Sequence, residues 1–244
     1  MKVYTYFEHI NLYARRFSNY QDELLKLWKI SWKQRGFEPT VLNLDHAKQH
    51  EYYIEYIERL ETLHLDILNT PLTKYGLSCY LRWLAYATVK TECPFYVMDY
   101  DIINTGLDII ELENIDSQLH LMSWCCPCFA SGTPKQFEDL CRKFIYISND
   151  NIEKSRQLHK KLPVGNCYHD NEFFIFHKNL LDKEIKFTKS EKVPAFERHK
   201  DMNNKAVHVS HFRAKQDCLK QSHSCDQLKT EEHRIQIIKE LLNF

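Results

Sequence analysis

The chain has 244 residues, enough for one large domain or two small ones around a substantial core. A hydrophobic fraction of 43%, with 14 Tyr, 14 Phe and 4 Trp, excludes a disordered chain, and 5 Gly with 7 Pro exclude collagen-like or low-complexity architecture. Lys plus Arg equal Asp plus Glu at 33 each, so no bulk positive field draws the protein to nucleic acid, and no such partner is expected.

From the N-terminus, residues 2–7 are β-branched and aromatic and predict a first strand. The opening residues lack the extended apolar core of a signal peptide, and no stretch reaches the roughly 18–20 apolar residues of a membrane span. Nine cysteines leave at least one unpaired, which together predict free thiols in a reducing, cytoplasmic setting. Residues 18–35 place Leu24, Leu25, Leu27, Trp28, Ile30 and Trp32 at helical spacing, and Gly36 marks the stop. Residues 37–43 predict a second strand. Strand, helix, glycine turn and strand open a βαβ unit, so a parallel sheet covered by helices is expected.

Residues 46–68 predict a helix, Pro71 and Gly76 flank a loop, and residues 77–89 form a buried helix. Residues 95–98 then predict a buried strand. Residues 124–133 predict a loop, 134–144 a helix with a threonine cap, 144–147 a strand and 153–161 a helix. Residues 170–177 predict a strand or a helix start. Residues 193–205 predict a loop, 206–212 a short strand with two histidines, and 231–242 a final amphipathic helix. Neither an internal repeat nor a linker stands out, so a single domain spanning 1–244 is expected.

The strand at 95–98 ends in Asp99-Tyr100-Asp101. Two carboxylates one residue apart at the carboxyl end of a central strand are costly unless a cation lies between them. A divalent metal suits them, because hard cations take carboxylate oxygens and bridge them to phosphates; an ordinary Asp-rich turn is the alternative. Ligands of open α/β sheets bind at that end of the strands.

Ser78-Cys79-Tyr80-Leu81-Arg82-Trp83-Leu84, followed by Phe95-Tyr96-Val97-Met98-Asp99-Tyr100-Asp101, resembles the sugar-nucleotide-binding core of GT-A glycosyltransferases with an Asp-x-Asp motif. Ser78 and Arg82, four residues apart, share one helical face. The resemblance covers roughly the first 110 residues, and departs from the family where Thr91-Glu92-Cys93-Pro94 replaces the usual Gly-Gly.

The resemblance implies a GT-A, Rossmann-like fold: a mixed, mainly parallel sheet flanked by helices, with a nucleotide-sugar-binding half (1–110) and an acceptor-binding half with the C-terminal helix (111–244). It implies a hexosyl- or deoxyhexosyltransferase of glycan biosynthesis that moves a sugar from a nucleoside diphosphate, UDP first, to a glycan hydroxyl. Mn²⁺ or Mg²⁺ would sit on Asp99, Asp101 and His208. Within residues 206–212, alternation puts His208 and Ser210 on one face and Val207, Val209 and His211 on the other, so one histidine is the ligand; a surface histidine pair is the alternative. Arg82 would orient the donor or pair with Asp99. Tyr6, Phe7 and Glu8, ending strand one, are candidates for gripping the base, with Ser78 beside the donor. Asp170, then Glu172, are candidates for the base that deprotonates the acceptor, or for a helix cap and first-turn acid. Cys125 and Cys128 have zinc-like spacing but lack a second pair, and read as a loop lining the acceptor site. Two other functions compete: a non-catalytic carbohydrate- or protein-binding module, and a nucleotidyltransferase, for which Glu8-His9-Ile10-Asn11 supplies no glycine-rich phosphate loop.

Overall fold

The computed structural model describes residues 1–9, 15–69, 71–112, 118–121, 128–160, 169–181, 185–187, 205–210, 214–215 and 227–244. Its elements in chain order are β1 (Lys2–Tyr6), α1 (Arg15–Gln34), β2 (Glu38–Leu42), α2 (Leu44–Ala47), α3 (Tyr53–Leu68), α4 (Lys74–Ala87), β3 (Phe95–Met98) and β4 (Ile102–Asn104). A 3-10 turn (Ile109–Leu112) precedes β5 (Leu119–Leu121), β6 (Phe129–Gly132), α5 (Pro134–Ile145), α6 (Asn149–His159), α7 (Asp170–Leu181), β7 (Ile185–Phe187), β8 (Ala206–His208) and α8 (Gln227–Leu241). Among the described residues, no helix is long and apolar enough to cross a membrane.

The architecture is mixed α/β. Six strands form one sheet in the order β2-β1-β3-β6-β5-β7, and β4 pairs with β8 in a second, two-stranded sheet. β1 is parallel to β2 and β3, β6 runs antiparallel to both β3 and β5, and β7 is parallel to β5. Five strands therefore share one direction and β6 opposes them. The βαβ opening predicted from residues 2–43 is present, and Gly36 follows the end of α1 at φ +83°, a left-handed conformation that a side chain would strain.

Side-chain alternation splits the core between the two faces of the sheet. Tyr4, Tyr6, Phe95 and Val97 pack with Trp83, Tyr80, Phe137, Phe144 and Phe174 beneath α3, α4, α5 and α7. Val3, Tyr96, Met98 and Phe129 face the other way, toward Trp28 and Trp32 of α1, Ile235 and Ile238 of α8, and the β4–β8 pair.

Three predicted segments differ from the structure. Residues 124–133 were expected as a loop, yet Phe129–Gly132 is a central antiparallel strand. The strand expected at 144–147 is instead the end of α5, because Phe144 continues the helical face of Phe137, Leu140 and Cys141. The single helix expected over 46–68 is two, α2 and α3, whereas residues 170–177 follow the second of their two readings, a helix starting at Asp170. The threonine cap does close α5: the Thr133 hydroxyl accepts from Gln136 N–H while Gln136 Oε1 accepts from Thr133 N–H, a capping box.

Candidate active site

The register Val3 opposite Tyr96 and Tyr4 opposite Val97 brings the ends of β1 and β3 to one level, at the carboxyl edge of the parallel strands. Asp99 leaves β3 with its N–H bonded to the Cys128 carbonyl at 2.8 Å, and its own carbonyl accepts from Ile102 N–H at 3.1 Å. That i→i+3 bond closes a turn over Asp99-Tyr100-Asp101 and holds both carboxylates at the sheet edge. The chain continues into β4, which is fixed from α1: Trp32 Nε1 donates to the Ile102 carbonyl (2.9 Å) and Ser31 Oγ accepts from Asn104 N–H (3.2 Å).

β4 pairs with β8, with Ile102 opposite His208. The long gap in sequence between the Asp pair and His208 is closed by this pairing. One donor atom each from Asp99, Asp101 and His208 lie within 4.8 Å of one another. His208 Nε2 stands 3.3 Å from Asp101 Oδ1. Asp101 Oδ1 is buried, and among the described residues His208 is the group that faces it. Two carboxylates and an imidazole converging on one buried point suit a divalent cation of the Mn²⁺ or Mg²⁺ kind. His211 lies outside the described residues, as do Cys125, Cys126 and most of the loop expected at 193–205.

Arg82 comes from the α4 face that looks onto this edge. Its Nη1 donates to Asp99 Oδ1 at 2.6 Å, while Nε and Nη2 donate to Asp170 Oδ2 at 3.0 and 2.5 Å. Trp83 Nε1 adds a further donor to the same Asp170 oxygen at 2.8 Å. Of the two sequence readings of Arg82, the ion pair with Asp99 is therefore formed. Asp170 is 1% exposed. Burial alone would raise its pKa, but Arg82, His169 and Trp83 together hold it below the ordinary carboxylate value. His169 Nδ1 lies 3.3 Å from Asp170 Oδ1 and 3.2 Å from Glu172 Oε2, and Glu172 also accepts from the His169 N–H.

The two acids of the motif are tuned apart. Asp99 is raised to about 6, chiefly by burial, with Arg82 opposing and Asp101 adding to the rise. For Asp101 burial again pushes upward, but His208 and Arg234 outweigh it and hold the carboxyl below its usual value.

No sequence motif marks Arg234. It lies on α8, 3% exposed, and its Nη2 donates to Asp101 Oδ2 at 2.6 Å. The residues ending β1 sit beside the site. Tyr6 hydroxyl donates to Glu8 Oε2 at 2.8 Å and meets the Ser78 side chain. Phe7 sets its ring edge-on to Tyr100, the residue between the two acids, with centroids 5.1 Å apart.

The sequence matches no protein-family model, and no curated protein matches it. Among solved structures, the chain is similar to the crystal structure of the glycosyltransferase GlyE in Streptococcus pneumoniae TIGR4, with a TM-score of 0.47 and 12% identity. The likeness covers 99% of this chain but 63% of GlyE's, so this chain spans less than two thirds of that length. At such a distance it carries no argument about residues or reaction.

Proposed function

We propose that this protein is a metal-dependent glycosyltransferase that moves a sugar from a nucleoside diphosphate, UDP first, to a hydroxyl of a glycan. One observation carries the reading: Asp99, Asp101 and His208 converge at the carboxyl edge of β1 and β3, with the Arg82 guanidinium bonded to Asp99. These are the residues that the Asp-x-Asp resemblance assigns to the donor site, and three separate chain segments supply them.

Asp99, Asp101 and His208 would hold Mn²⁺ or Mg²⁺. When bound, the ion neutralises the diphosphate and makes it a better leaving group. Asp101, ionised and half fixed by Arg234, is the stronger ligand. Asp99, raised to about 6 and bonded to Arg82, would be the second carboxylate ligand, ionised at neutral pH and beside the guanidinium that would meet the donor. Arg82 presents a planar fork of donors that would suit a phosphate or sugar oxygen of the donor.

Asp170 is buried and bound by three donor groups on one oxygen, which suits holding Arg82 in place rather than accepting a proton. Glu172 engages its neighbours through Oε2 and is partly exposed, so it is the acid we favour as base for an inverting transfer. The Phe7–Tyr100 wall and the Tyr6–Glu8–Ser78 cluster form the side against which a nucleoside would stack. On this reading residues 1–110 bind the donor and residues 111–244 the acceptor.

Calorimetry with UDP and GDP, each with and without Mn²⁺, tests the proposal. The expected result is Mn²⁺-dependent binding of one nucleotide, lost in Asp101→Asn. Metal-independent binding, or unchanged binding in that variant, would sink it and favour a binding module.

A further inference from the structure

The candidate metal centre is completed from the far end of the chain. Arg234 follows Asp101 by 133 residues, yet its guanidinium contacts three groups around the site. Nη2 donates to Asp101 Oδ2 at 2.6 Å, Nε donates to the Val209 carbonyl at 2.9 Å, and Nη1 donates to both oxygens of the buried Glu231 at 3.1 and 2.9 Å. Val209 in turn donates its N–H to the Asp101 carbonyl at 2.9 Å. A closed ring of bonds thus joins the Asp101 side chain, the Asp101 backbone and the residue next to His208.

The ring has a directional effect on Asp101. Arg234 occupies Oδ2, which leaves Oδ1 turned toward His208 Nε2 at 3.3 Å. We infer that Arg234 is a positioning residue for the divalent-cation site: it fixes the Asp101 rotamer and the β8 register so that Oδ1 and His208 face one ion. The inference rests on the metal reading above and adds a part of the site that lies outside the Asp-x-Asp segment. Only the forked guanidinium reaches all three acceptors at once; a lysine supplies one point charge on a flexible stem. Groups that orient metal ligands in this way typically contribute 10–100-fold to metal affinity.

Three roles for Arg234 predict different outcomes. If it acted only as a nearby positive charge, its removal would tighten cation binding. If it served only to dock α8, its removal would lower the melting temperature and leave affinity in the folded protein unchanged. Positioning predicts weaker binding. The test is Mn²⁺ titration of the full chain without nucleotide, followed by electron paramagnetic resonance, at a temperature where thermal unfolding confirms each variant is folded.

Arg234→Gln is expected to bind Mn²⁺ about 10–100-fold more weakly than the parent. Arg234→Lys should fall between the two, and carries the test alone if the glutamine variant does not fold. Equal or tighter binding in the folded variants would overturn the inference while leaving the metal reading intact. A parent protein that binds no Mn²⁺ would overturn both.

Discussion

Asp99 and Asp101 stand two residues apart, yet folding moves their acidities in opposite directions. Both are pushed up by burial; the difference is that Asp101 faces His208 and Arg234, whereas Asp99 shares Arg82 with Asp170. Asp99, raised to about 6, takes up a proton more readily folded than unfolded, so its ionisation weakens the fold as pH rises toward that value. Below that value a cation held by Asp99 would have to displace this proton. Mn²⁺ affinity is therefore expected to be level well above pH 6 and to fall about tenfold per unit below it. Titrations at several pH values check this, and a midpoint near 4 would count against it. Arg82 gives a second prediction. Arg82→Met leaves the fully buried Asp170 without its main partner, at a cost of about 3–5 kcal/mol at neutral pH by urea unfolding. In the parent, Asp170 is held low, so its contribution is present above the ordinary carboxylate value and is lost as pH falls through the lowered one. In the variant the sign reverses: burial then raises the carboxyl, and the deficit should shrink between pH 7 and pH 5. At this scale the sequence places Asp99 and Asp101 at the end of a β-prone run, whereas Arg82 and His208 are picked out by the GT-A resemblance. Burial and long-range pairing leave no such trace. Asp170 reads as a base because its burial is invisible in HDNEFF, and Arg234 sits in an ordinary charged helix with nothing to mark its reach across 133 residues.

Elements were legible where one signal acted alone. β1, β3 and α1 combine strong propensity with clear stops, and Gly36 and Thr133 mark helix ends by their own chemistry. The antiparallel β6 was not legible, because Phe129-Ala130-Ser131-Gly132 carries little β-propensity and follows a Cys- and Pro-containing segment. Its small residues are explained by packing that the sequence does not display. A Cβ on Gly132 would lie 2.9 Å from Leu119 Cδ1 and 3.1 Å from Gln136 Oε1, so a methyl group there has to push aside the buried Leu119 and the Gln136 of the capping box. Gly132→Ala should consequently overpack this junction and cost about 1–3 kcal/mol in thermal or urea unfolding. Because the clash lies away from the Asp pair, Mn²⁺ affinity of the folded variant should be unchanged. A neutral or stabilising effect would mean that β5 yields, and that the glycine is incidental. The apolar run 144–147 failed for the opposite reason. It fits a buried strand as well as a helix end, and only the face shared with Phe137 and Leu140 decides between them.

Across the whole molecule, the two cores on opposite faces of the sheet have different duties. The aromatic core under α3, α4, α5 and α7 supports Arg82 and Asp170, which reach the site from that side. The other core joins α1 and α8 to β4 and β8, which deliver Asp101, His208 and Arg234. The candidate site lies where the two meet, so packing far from Asp99, Asp101 and His208 bears on their geometry. α8 is held by Ile235 and Ile238 in the core, by Tyr20 donating to Glu232 at 2.5 Å, and by the Lys239–Glu23 pair at 2.6 Å. Ile238 is fully buried, so Ile238→Ala should destabilise the protein by about 2–5 kcal/mol through the cavity it leaves. If α8 serves only as a lid on the core, that is the whole effect, and cation affinity in the folded fraction stays at the parent value. If its docking sets Arg234 against Asp101, the same loosening must also weaken Mn²⁺ binding, although Ile238 touches no candidate ligand. A double-mutant cycle decides between these. Ile238→Ala should lower Mn²⁺ affinity in the parent background and add little in an Arg234→Gln background, where the connection is already broken. Additive losses would place the two residues on independent routes and separate the core of α8 from the chemistry at the sheet edge.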